Sequence, residues 1–141
     1  MRRLEPVLRW VVVVALGVDA VVHLRFAPAI QLAAPGGIGG GWLFRLQALA
    51  AILAALYLIL RPSTAAYLVA GAVALSAFGA VLLYSLVSVP TLGPIPSMYD
   101  PTWYPAKVLS AVAEAMVVVL SVVGWFVSGR TDARAVETAA R

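Results

Sequence analysis

Two carboxylates interrupt otherwise apolar stretches of this sequence, Asp19 and Glu114. A carboxylate at mid-bilayer costs about 2.5–3.5 kcal/mol on insertion scales, so such a group faces other protein and finds a partner. His23 stands four residues after Asp19, on the same helical face, where its imidazole can donate to the carboxylate. Lys107, Ser110, Glu114 and Ser121 follow one another at spacings of 3, 4 and 7, a single polar stripe on an apolar helix. Arg45 and Gln47 are two residues apart and cannot face the same way, so one of them is expected to point inward. Tyr99 and Trp103 lie just before Lys107 in a stretch rich in proline and aromatic residues.

Together Asp19, His23, Arg45, Gln47, Lys107, Ser110 and Glu114 describe a polar pocket within a membrane domain, with Tyr99, Trp103 and Tyr104 as a lid or an interfacial aromatic belt. Such a pocket can hold a lipid headgroup, a quinone or a small anion, or relay protons. The competing reading is an ion-pair network that only holds helices in register. One imidazole with two carboxylates has the makings of a metal site, but no short ligand spacing specifies one, and no metal is expected. A bis-histidine haem would need a second subunit, because His23 is the only histidine. No resident cofactor is expected, although a quinone fits the pocket chemistry. No nucleophile, base and orienting group assemble into a catalytic set.

Four apolar runs must position these residues: about 7–25, 42–60, 64–89 and 106–127. Each reaches the ~18–20 residues that cross hydrocarbon. Pro28, Pro35 and the glycines from Gly36 to Gly41 separate the first two, and the glycines read as a flexible loop. Arg61-Pro62-Ser63-Thr64 separates the next pair, with Ser63 or Thr64 available as a helix cap. Five prolines from Pro90 to Pro105 fill the third connection. In the third run Ala72, Ser76 and Ala80 make a row of small residues suited to close helix packing, within the bundle or against a second copy. Residues 128–141 form a short polar tail, frayed or disordered.

Composition sets the class. The chain has 141 residues, 63% hydrophobic and 11% charged, with a mean hydropathy of +0.99. A soluble domain carries about 25% charged residues. One short core could not hide this much apolar side chain. The expectation is an all-α, polytopic integral membrane protein, an antiparallel four-helix transmembrane bundle spanning 1–127. The net charge of +4 does not suggest nucleic acid, because the basic residues sit at helix ends. With no cysteine, disulfides, thiolate metal sites and covalent c-type haem are excluded.

Seven Lys/Arg (Arg2, Arg3, Arg9, Arg61, Arg130, Arg134, Arg141) would share one side of the membrane, and three (Arg25, Arg45, Lys107) the other. This bias predicts both termini inside a bacterial inner membrane. Asp19 then lies roughly 7–10 Å below the outer end of the first helix and Glu114 roughly 10 Å below that of the last. Ala27-Pro28-Ala29 resembles a signal-peptidase site, but Asp19, His23 and Arg25 precede it and argue against a cleaved leader.

Val22-His23-Leu24, the run Gly41-Trp42-Leu43-Phe44-Arg45-Leu46-Gln47-Ala48, and Pro96-Ser97-Met98-Tyr99-Asp100-Pro101-Thr102-Trp103 with Lys107, Ser110 and Ala113-Glu114 resemble small, uncharacterised four-helix membrane proteins of actinobacteria. In layout the chain is more distantly similar to DoxX-type proteins, which implies a link to quinone-coupled oxidation. No DoxX motif carries over residue by residue. Three functions follow as expectations: a pocket binding a lipid, quinone or other small molecule, as an accessory subunit of a membrane enzyme; a structural or assembly protein; and a proton- or ion-coupled carrier. The expected partners are the lipid bilayer and a membrane protein or second copy.

Overall fold

The computed structural model describes residues 4–139, with side chains described to residue 129. Arg2, Arg3 and Arg141 of the charge argument lie outside the described residues, as do the side chains of Arg130 and Arg134. Among the described residues four helices make a bundle: α1 Leu4–Ala33, α2 Gly40–Leu60, α3 Thr64–Leu86 and α4 Pro105–Ala139. Each is long and apolar enough to cross a membrane. Helix α1 packs on α2 and α4, and α3 packs on α4 and α2.

The core is built mostly from alanine. Ala48, Ala51, Ala54 and Ala55 of α2 and Ala66, Ala70 and Ala74 of α3 are buried, along with Leu16, Leu58 and Val117. Small side chains let backbones approach, which is how helices pack where lipid removes the hydrophobic drive between them. Many of the large apolar residues point the other way. Val7, Val14, Leu60 and Val119 are all more than 60% exposed. Helices apolar on their outer faces as well as their inner ones are the pattern of membrane spans.

The helix bounds differ from expectation at three places. First, α1 runs through Pro28 to Ala33. Proline inside a helix costs about 3 kcal/mol, and the extension persists because Ala27 and Ile30 dock on the start of α2. Gly40 and Gly41 are therefore buried helical residues, not flexible linkers. A Cβ on Gly41 would sit 2.3 Å from the Ala27 carbonyl oxygen, and one on Gly40 2.7 Å from Ile30. Second, α3 ends at Leu86, and Val89 pairs with Met98 instead. Pro90 forces Val89 into extended backbone. Third, α4 continues without a break to Ala139, through a segment containing helix-favouring Ala, Arg and Glu. Within the bundle the packing row on α3 is Ala66, Ala70, Ala74 and Ala77, all buried, whereas Ala72 and Ser76 are exposed and do not pack inside it. At the start of α3, Ser63 is the cap, accepting from the Ala66 N–H at 3.2 Å.

The α1–α2 and α3–α4 connections meet at one end of the bundle. The Ile38 N–H donates to the Pro94 carbonyl at 2.8 Å. Gly37 makes room for that bond, with φ at +59° and its missing Cβ only 2.0 Å from Pro94 O. The α3–α4 loop folds back as a tight turn, Leu92 and Ile95 exchanging hydrogen bonds at 3.0 Å around Gly93-Pro94. It is fastened to α3 where the Asp100 N–H donates to Tyr84 O at 2.9 Å.

Candidate functional site

Asp19 and Glu114 meet in the interior, 1% and 2% exposed. The helical repeat that puts Asp19 and His23 on one face of α1 does the same for Ser110 and Glu114 on α4. Packing α1 against α4 then brings the two pairs together. His23 Nδ1 lies 2.9 Å from Asp19 Oδ1 and 3.0 Å from the Asp19 carbonyl, so its N–H is shared between them. Gln47 Nε2 donates to Asp19 Oδ2 at 3.2 Å, joining α2 to the cluster. Gln47 is thus the inward member of the Arg45/Gln47 pair.

Ser110 Oγ bridges the two carboxylates, 3.0 Å from Asp19 Oδ1 and 3.0 Å from Glu114 Oε1. A hydroxyl has one proton to donate. Both contacts are hydrogen bonds only if a proton comes from a carboxyl; otherwise one oxygen pair is in contact without one. Glu114 Oε2 has no hydrogen-bond partner. Asp19 is fully engaged and Glu114 is not.

Glu114 opens onto a cavity of about 170 Å³. His23, Phe26, Phe44, Tyr84 and Tyr104 contribute aromatic walls, and Ser97 to Asp100 of the α3–α4 loop close it. His23 packs on Phe44 with ring centroids 4.8 Å apart, and Phe26 stacks on Tyr104 at 5.5 Å. Burial raises the Tyr104 phenol above its ordinary pKa, and the Asp100 charge adds to the effect, so at neutral pH it remains an O–H donor.

The cations expected at the carboxylates go elsewhere. Lys107 is buried at the cavity wall, but its ammonium binds the Asp100 carbonyl and lies 3.3 Å from Asp100 Oδ2. It also sits 5.2 Å from the Trp103 ring. Arg45 stacks at 5.2 Å over Trp42 and does not line the cavity. Among the described residues neither carboxylate has a Lys or Arg partner within salt-bridge distance. Tyr99 is part of the closing loop although half exposed; Trp103 packs over Lys107 outside the cavity.

Phe26, Phe44 and Tyr84 are walls that the sequence reading does not single out, whereas Tyr104 is one of the three aromatic residues it offers as a lid. Phe26 falls just past the expected end of the first apolar run, and the apolar pattern of α2 hides Phe44. A second buried contact, Tyr67 O–H donating to Glu5 at 3.1 Å, was also missed.

No family model, curated protein or solved structure matches this chain.

Proposed function

We propose that this is a multi-pass membrane protein, an antiparallel bundle with both termini inside, whose outer half holds a binding pocket for the headgroup of an amphiphile. Support for the topology comes from where the cations lie. Arg25, Arg45 and Lys107 are at the end of the bundle where the two longer connections meet, with Arg9 and Arg61 toward the other end.

One observation carries the binding reading: Glu114, a buried carboxylate whose Oε2 has no hydrogen-bond partner among the described residues, is one of the residues lining an aromatic cavity of about 170 Å³. A cavity of about 150 Å³ holds a benzene ring, so one six-membered ring fits. A quinol is the ligand class that best matches. One of its hydroxyls donates to Glu114, and its far oxygen accepts from Tyr104. Its tail runs out along the apolar side of Ile30 and Val81.

The test is calorimetric titration of decyl-hydroquinone into detergent-purified protein and into Val81→Trp, which fills the cavity from α3. Saturable binding by the wild type and its loss in folded Val81→Trp are expected. Equal heats for the two proteins, or none for either, refute the reading.

The structural alternative has its own support, because Asp19 ties α1, α2 and α4 together through His23, Gln47 and Ser110. Asp19 accordingly acts as the frame and Glu114 as the contact group. The carrier reading has less support. On α4 the next polar residue, Ser121, lies seven positions on, about 10 Å, with fully buried Val117 between.

A further inference from the structure

We propose that Asp19, His23 and Glu114 bind one divalent first-row metal ion, with Zn²⁺ and Mn²⁺ the ions best matched to a mixed carboxylate and imidazole donor set. The site shares the floor of the pocket described above but requires no ring to be bound there.

Geometry is the first argument. One potential ligand atom from each residue lies within 4.8 Å of the others. Metal–ligand bonds of about 2.0–2.2 Å place the donors of one ion about 3–4.4 Å apart, so small rotamer adjustments suffice. The sequence lacks a compact ligand motif because the helices supply the spacing instead. Asp19 and His23 come as an i, i+4 pair from α1, and Glu114 arrives from α4.

The second argument is the unused donor. Glu114 is 2% exposed, and its Oε2 has no partner. A buried carboxylate oxygen left bare is costly.

The third is charge. Two buried carboxylates face one imidazole, while Lys107 is held by Asp100 and Arg45 by Trp42. Ser110 cannot donate to both carboxylates at once. A dication neutralises both and frees Ser110 to donate to either. Outer contacts of the kind that orient metal ligands are already present, in Gln47 on Asp19 Oδ2 and Ser110 on Glu114 Oε1. Three protein donors leave a coordination position open, and the cavity lies beside it.

The experiment uses tag-free protein in detergent with no quinol added, loaded with Co²⁺ as a spectroscopic stand-in and dialysed. Wild type and Arg45→Ala are expected to retain about one ion per chain, with visible d–d bands that Zn²⁺ abolishes. Glu114→Gln and His23→Gln are expected to weaken retention about tenfold or more. Zn²⁺ should also raise the melting temperature of the wild type and release protons, a readout that stands even where a variant fails to fold. Failure of the wild type to retain Co²⁺ and to gain stability from Zn²⁺ overturns the proposal. So does undiminished binding by folded Glu114→Gln. Neither result touches the quinol titration, so the two readings fail separately.

Discussion

At the residue scale, the site depends on the difference between two carboxylates of similar burial. Asp19 receives donors from His23 and Gln47 and shares the Ser110 hydroxyl with Glu114, whose Oε2 has no hydrogen-bond partner among the described residues. Asp19→Asn therefore replaces an acceptor with an amide that turns its own N–H₂ toward His23 or Gln47. It should destabilise the purified protein by about 1–3 kcal/mol, seen as a lower melting temperature in detergent. Glu114→Gln removes no comparable set of bonds and should melt closer to the wild type. Equal losses would mean that both residues are frame. Much of this cluster was legible in the sequence, because a carboxylate in an apolar run demands a partner and helical spacing names the nearest ones. The destinations of Lys107 and Arg45 were not. Long cationic side chains reach several places from one Cα, and their choice of Asp100 and Trp42 depends on the fold of the α3–α4 loop and the start of α2.

At the scale of elements, the cavity exists because α1 continues past Pro28 and adds Ile30 and Ala33 to the wall that Phe26 begins. That extension rests on the glycine face of α2. Gly41→Ala puts a methyl 2.3 Å from the Ala27 carbonyl, backbone that cannot swing aside. It should cost about 1–3 kcal/mol and loosen the end of α1, so amide exchange should speed up over residues 26–33 while the middle of α1 stays protected. Unchanged exchange there would show that the extension holds itself. Hydropathy could not reveal any of this. A proline followed by a glycine run reads as a break, and only the close approach of two backbones shows why those glycines are buried. The row of α3 that packs inside the bundle was not legible for a related reason: with alanine on several faces, periodicity does not select the face that packs.

At the scale of the whole molecule, four apolar runs of spanning length and the scarcity of charge were enough to predict the bundle. The exposed large aliphatic residues around it fit a lipid-facing surface. What composition could not supply was the cavity, since that depends on aromatic residues from three helices and a loop meeting around one carboxylate of the fourth helix. The most direct measurement of the central claim is native mass spectrometry of protein purified from its own membranes, wild type beside Val81→Trp. The account predicts a bound species of the mass of a single-ring lipid on the wild type and its absence from the folded variant. Wild type and variant both bare, or both carrying the same molecules, would contradict it.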